Sequence, residues 1–223
     1  MDDIIEKIKL FKEIDNYYVG YAMVTKTLIG AGTMQLLTEI ARDHLNEFDT
    51  YLEVGCYQAW NFSLISHFAK CKCIAVDNFS QNFKENNNYD LSTRDLVLRN
   101  IATIGRGHGN LVEGDFRDIL SRWSARDPAP RTSVKLYMYD GPHSTQDQID
   151  GIELALPLLQ DKAIIFVDDW ASPAVKDSTR HLLRNHEELE LIRVLDGPRG
   201  RESFNQGQAV FSFRRLKDEL SPM

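Results

Sequence analysis

The sequence has no apolar run approaching the roughly 20 residues that a membrane-spanning helix needs. Its start, Met1-Asp2-Asp3, is acidic and lacks a signal-peptide core. Basic charge is short as well: 26 Lys and Arg face 33 Asp and Glu, a formal net charge of −7. That balance argues against a nucleic-acid backbone or an anionic membrane as the main partner. Cysteine is scarce, with only Cys56, Cys71 and Cys73. Cys71 and Cys73 fall on one face of a strand, but the partners of a zinc site are missing. Reduced structural thiols in a cytoplasmic protein are the expectation. There is no Gly-x-Gly-x-x-Gly, which counts against a nicotinamide-dependent oxidoreductase. No internal repeat is visible.

What is present is an α/β pattern. The 223 residues, 43% hydrophobic, suffice for one domain with a sizeable core. Strands are expected near 50–54, 72–77, 110–113, 134–139 and 163–168. Helices are expected near 60–69, 91–104, 116–124, 145–159 and 173–187. The alternation indicates βαβ units and a mostly parallel sheet. Ser172-Pro173 reads as an N-cap followed by proline at the first helical position. The alternation fails near the C-terminus, where Glu190–Leu195 and Gln208–Phe213 read as strands without a helix between them. Their connection is polar and holds three glycines, so a hairpin with one antiparallel strand is expected. Residues 1–48 form a helical N-terminal extension, and 49–223 form the main domain. Residues 78–90, rich in Asn, read as a polar loop that is either solvated or folded over a ligand.

Four motifs carry the chemistry. In Tyr51-Leu52-Glu53-Val54-Gly55-Cys56-Tyr57-Gln58-Ala59-Trp60 a strand ends in a glycine turn and a helix follows. Gly55 allows a ligand close to the backbone, although an ordinary strand-to-helix turn would look the same. Tyr57 and Ala59 occupy positions often filled by glycine. In Cys73-Ile74-Ala75-Val76-Asp77 an acid ends the next strand, about 20 residues beyond the turn, where ribose hydroxyls are commonly bound. Together these two motifs point to a nucleoside-type cofactor. In the third, Asp115 could take an adenine amino group with Phe116 against the ring, or simply cap the next helix.

The fourth motif is a set of acids. The run Val134–Tyr139 ends in Asp140, and the run Ala163–Val167 ends in Asp168-Asp169. Ligands of open α/β sheets bind at that carboxyl edge. Three carboxylates there suit magnesium, manganese or calcium, and would repel one another without a cation. Separate capping or salt-bridging roles are the plainer alternative. His143 could serve as general base, or contact the substrate, or support another residue.

Taken together, these residues resemble the class I S-adenosylmethionine-dependent methyltransferases over roughly residues 48–214. The resemblance implies a Rossmann-like, doubly wound, mostly parallel seven-stranded α/β sheet with a C-terminal antiparallel hairpin and a helical preface. It assigns the cofactor to Glu53, Gly55, Tyr57, Asp77, Asp115, Phe116 and Asp140. Within that class the acids resemble those of metal-dependent O-methyltransferases, and Asp-Gly-x-His and Asp-Asp-Trp are similar to the sugar and natural-product, macrocin-type branch. Asp140, Asp168 and Asp169 are then the ligands of Mg2+, Mn2+ or Ca2+, with His143 and Asp140 catalytic. His143 stands where catechol enzymes carry a lysine. Gln160-Asp161-Lys162 replaces a common Pro-Gly turn, and Ala59 replaces a glycine, narrowing the room near the methionine moiety.

The implied reaction is methyl transfer to a hydroxyl of a sugar, natural product or phenol, with no nucleic acid or membrane partner. A metal-free methyltransferase, a nicotinamide enzyme and a noncatalytic binding protein are the alternatives. Tyr17, Tyr18, Tyr21, Trp60 and Trp170 are candidates for an acceptor pocket, or for core and interface. The preface leaves room for a homo-oligomer.

Overall fold

A computed structural model describes residues 1–25, 27–80, 92–125, 133–197 and 200–216. Three helices come first: α1 (Asp2–Leu10), α2 (Asn16–Thr25) and α3 (Ala31–Asp43). Strand and helix then alternate through β1 (Thr50–Val54), α4 (Trp60–Phe68), β2 (Lys72–Asp77), α5 (Thr93–Thr103), β3 (Gly109–Glu113), α6 (Phe116–Ser124), β4 (Val134–Tyr139), α7 (Thr145–Glu153), β5 (Leu159–Val167) and α8 (Pro173–Asn185). The chain closes with β6 (Leu189–Leu195) and β7 (Gln208–Arg214). The Asn-rich stretch Asn86-Asn87-Asn88 lies outside the described residues.

The seven strands form one sheet in the order β3-β2-β1-β4-β5-β7-β6. Strands β1 to β5 pair in parallel, and β7 runs antiparallel between β5 and β6. This is the expected Rossmann-like sheet with its C-terminal hairpin. The chain order reverses between β1 and β4, which opens a crevice at their carboxyl ends.

Strand periodicity divides the core in two. Tyr51, Leu136, Met138, Ile164, Phe166 and Val210 face one side, where α1, α3, α4 and α5 pack. Leu52, Tyr137, Tyr139, Ile165, Val167 and Phe211 face the other, against α6, α7 and α8. Both faces are covered, so these strands read as apolar runs rather than as alternating patterns.

Two boundaries differ from expectation for one reason. The helix expected over 145–159 stops at Glu153, and a 3-10 turn, Leu156–Leu158, follows. Pro157 lacks an amide hydrogen, and its ring would meet the carbonyl four residues back. Strand β5 therefore begins at Leu159, earlier than expected, and includes Gln160-Asp161-Lys162. Gln160 donates its side-chain amide to Asp49 Oδ1 at 2.6 Å. Ser172 does stand at the N-cap of α8 with Pro173 next, but its hydroxyl makes no capping bond.

The N-terminal helices are tied to the hairpin at two points. Arg193 Nη1, from β6, donates to the carbonyls of Ile8, Lys9 and Phe11 at 2.9, 3.0 and 2.8 Å. These bonds satisfy the open carbonyls at the end of α1. At the start of α3, Ala31 N and Gly32 N donate to the carbonyls of Arg201 and Ser203 at 2.8 and 2.9 Å. Here Gly30 is required, since a Cβ would collide with the Ser203 carbonyl. The three cysteines are free thiols, with Cys56 and Cys73 buried.

Candidate active site

Sheet register assembles the site. Val54 pairs with Val76 on one side and with Tyr139 on the other. Tyr139 pairs with Val167, and Val167 with Ala209. One residue further along each strand, the same register gives a row: Asp77, Gly55, Asp140, Asp168, Gln208. Backbone bonds carry the ladder into this row, with Gly55 N on Val76 O at 2.9 Å, Asp140 N on Val54 O at 2.8 Å and Asp168 N on Tyr139 O at 3.0 Å. Gly55 is the one position in the row without a side chain. It has φ 83°, and a Cβ there would collide with the Asp140 carbonyl. The gap between Asp77 and Asp140 is therefore built by glycine.

A cleft of about 760 Å³, mouth included, opens over that gap, and Gly55, Tyr57, Asp77, Phe116, Asp140 and His143 line it. Leu28 brings the N-terminal segment to the same cleft. Glu53, Asp115, Asp168 and Asp169 do not line it, nor do Tyr17, Tyr18, Tyr21, Trp60 or Trp170.

The Asp77 end is rich in donors. Asp77 Oδ2 accepts from Cys56 N at 2.9 Å and Tyr57 N at 3.1 Å, while Oδ1 accepts from Phe79 N at 2.8 Å. The acid thus holds the glycine turn, in which Tyr57 and Ala59 both adopt left-handed φ values of 50° and 56°. A side-chain chain braces it further: Trp60 Nε1 donates to Gln58 Oε1 at 2.9 Å, and Gln58 Nε2 to Tyr57 Oη at 3.0 Å. Asp115 is the N-cap of α6 and accepts from Arg117 N at 2.8 Å. The Phe116 ring in the cleft has Arg117 Cζ 4.6 Å from its centroid and the Tyr139 ring edge-on at 5.6 Å. Arg117 is itself held by Asp147 at 2.5 Å and Asp150 at 2.7 Å.

The other end is rich in acids. Asp140 and Asp168 stand within hydrogen-bonding reach of one another, and both are pushed above the ordinary carboxylate range. Burial is the main cause, and the neighbouring carboxylates add to it. Below them Glu53, 1% exposed, accepts a short bond from the Tyr51 hydroxyl. Burial raises its carboxyl to about 8. Asp169 takes a left-handed φ of 59° and pairs through Oδ2 with His143 Nε2 at 3.0 Å. This bond lifts the His143 imidazole above its usual range. The Asp169 turn is pinned from the hairpin side, with Trp170 N on Gly207 O at 3.1 Å and Ala171 N on Gln206 O at 2.8 Å. Gln208 donates through Nε2 to Asp168 Oδ1.

For a metal, the donor chemistry fits a hard divalent cation, and two close carboxylates are the pair such a charge would relieve. Their placement is less open. Among the described residues, no three or more of His, Cys, Asp and Glu stand together as a group that could hold an ion.

Residues 30–170 match the sequence profile of a family described as a methyltransferase domain. The chain belongs to this family. No curated protein matches the methyltransferase in sequence. Its fold is shared with solved structures of low identity. A protein from Corynebacterium glutamicum is 15% identical with a TM-score of 0.61, covering 93% of this chain and 94% of its own. CalS11, a TDP-rhamnose 3'-O-methyltransferase of calicheamicin biosynthesis, is 18% identical with a TM-score of 0.53, covering 82% of this chain and 76% of its own. The SMU.776 protein, solved in complex with SAH, is 13% identical with a TM-score of 0.58, covering 84% of this chain and 50% of its own. The methyltransferase is of the class I, S-adenosylmethionine-dependent kind, with a Rossmann-like sheet. No described helix is long and apolar enough to cross a membrane.

Sequence reading missed Gln208 and Leu28. Both reach the site from segments distant in sequence, and neither lies in a recognisable motif.

Proposed function

We propose that this methyltransferase methylates a hydroxyl oxygen of a small molecule, a sugar, natural product or phenol, with a divalent cation at its acid edge. The observation that carries the reading is the row itself. A cleft over Gly55 and Asp77 is lined by Asp140 and His143, and Asp168 and Asp169 stand behind them as their partners. CalS11, similar in fold, methylates a sugar hydroxyl, which supports the acceptor class.

In this reading Asp77 and the glycine turn hold the ribose, Phe116 lies against the adenine, and Tyr57 closes the turn side. S-adenosylmethionine supplies an electrophilic methyl group on its sulfonium. Asp140, Asp168 and Asp169 would hold the cation, which lowers the pKa of a hydroxyl and fixes its direction. His143, held at Nε2 by Asp169, keeps Nδ1 for the proton that the hydroxyl gives up. The oxygen takes the methyl group, and S-adenosylhomocysteine leaves. Positioning supplies much of the acceleration. Residues 1–48 act as an extension of the 49–223 domain and reach the acceptor side through Leu28. The free thiols suit a cytoplasmic enzyme.

The His143–Asp169 pair favours a second reading in which His143 acts as base without a cation. One assay separates the two. Transfer of labelled methyl from S-adenosylmethionine is measured over a panel of sugars and phenols, with magnesium or with chelator. The metal reading expects chelator to abolish transfer and Asp168→Ala to match it. Full transfer by Asp168→Ala in chelator would sink that part and leave the metal-free reading. No transfer to any hydroxyl, with transfer to amines or thiols instead, would sink O-methylation.

A further inference from the structure

Gln208 is the one neutral side chain in a row otherwise made of acids and glycine. It opens β7, is 0% exposed, and stands across from Asp168 by sheet register. Its Nε2 donates to Asp168 Oδ1. Its Oε1 is buried and finds no hydrogen-bond partner among the described residues. An orphaned buried carbonyl costs about 1–3 kcal/mol, so packing alone would favour an apolar residue at this place. What the amide does for Asp168 is the reason to keep it. Asp168 lies between Asp140, just past β4, and Gln208 on β7. The bond to Oδ1 constrains the rotation of its carboxylate beside Asp140. The Asp169 backbone N–H in the turn that follows β5 also reaches the Asp168 carboxylate, so the Gln208 amide is its donor from across the sheet, on the neighbouring antiparallel strand.

We propose that Gln208 is a positioning residue: its amide sets the orientation in which Asp168 meets the cation and the acceptor hydroxyl. The proposal rests on the methyl-transfer reading for its purpose, but its test does not depend on turnover. Gln208→Leu keeps the size and removes the donor. Gln208→Glu keeps the shape and puts an acceptor where the donor was. Each full-length variant is titrated with Mn2+ by electron paramagnetic resonance and with S-adenosylhomocysteine by calorimetry.

Orienting partners of metal ligands are worth about 10–100-fold in metal affinity, and a loss of that size is expected in both variants. S-adenosylhomocysteine affinity is expected to stay near wild type, since Gln208 does not line the cleft. Wild-type Mn2+ affinity in both variants would overturn the proposal. So would joint loss of Mn2+ and S-adenosylhomocysteine binding in Gln208→Leu, which marks a packing residue. If Gln208→Glu fails to fold, Gln208→Leu decides alone. If the wild-type protein takes up no Mn2+, the metal part of the proposed function fails separately. A crystal structure of Gln208→Leu then decides: Asp168 turned away from Asp140 upholds the role, and Asp168 unmoved overturns it.

Discussion

The two ends of the row use the same device, an acid where a strand runs out, with opposite consequences. At the β2 end, Asp77 receives three backbone amides from the turns it holds. At the β4–β5 end, Asp140 and Asp168 have each other, and the donors on Asp168 are the Gln208 amide and the Asp169 backbone N–H. One acid is bound into the scaffold. The others are held close to like charge, which costs stability and stores an affinity for something positive. A carboxylate at a strand end thus says little by itself. The donors around it decide whether its charge is already answered by the fold or is left for a positive ligand.

The contrast is sharpest in the effects of removing charge. Asp77→Ala leaves three amides without their acceptor and should destabilise by about 3 kcal/mol, read from denaturant unfolding. Asp168→Asn, measured in chelator, should do the reverse. Its carbonyl still accepts from Gln208, its new amide donates to Asp140, and a repulsion disappears. A gain of about 1 kcal/mol, a few degrees in Tm, is expected. Equal losses in the two variants would erase the distinction.

Glu53→Gln tests the same contrast through its pH dependence. The folded-state carboxyl lies near 8 against an ordinary 4.5, so the folded form holds the proton more tightly than the unfolded chain. That contribution is fully present below 4.5 and is lost as pH rises through 8. Wild-type Tm should therefore fall across this window, and less steeply in Glu53→Gln, where Tyr51 still finds a carbonyl. An unchanged slope would mean that Glu53 is ionised in the fold.

Local chemistry explains how much was legible in advance. The strands at 50–54, 72–77 and 134–139 are short, largely apolar runs, and their observed bounds match the expectation. The hairpin showed because no helix pattern separates its strands. Pro157 carried the information that α7 must stop, yet the apolar spacing beyond it still read as helix. The acids were legible as strand ends, but their environment was not. The Asp77 amides come from turns whose geometry depends on left-handed Tyr57, and the Asp168 partner lies 40 positions away on an antiparallel strand. The aromatic side chains Tyr17, Tyr18 and Tyr21 fit a pocket by type. In the fold Tyr18 is core, and Tyr21 donates to the Trp60 carbonyl at 3.0 Å.

The central claim is that the row divides into a cofactor-holding end and an acid end serving the acceptor. Calorimetry with S-adenosylhomocysteine on wild type, Asp77→Ala and Asp168→Asn tests it most directly. The account predicts a loss of roughly tenfold or more for Asp77→Ala and a change within about twofold for Asp168→Asn. Wild-type affinity in Asp77→Ala, or a comparable loss in Asp168→Asn, would contradict it.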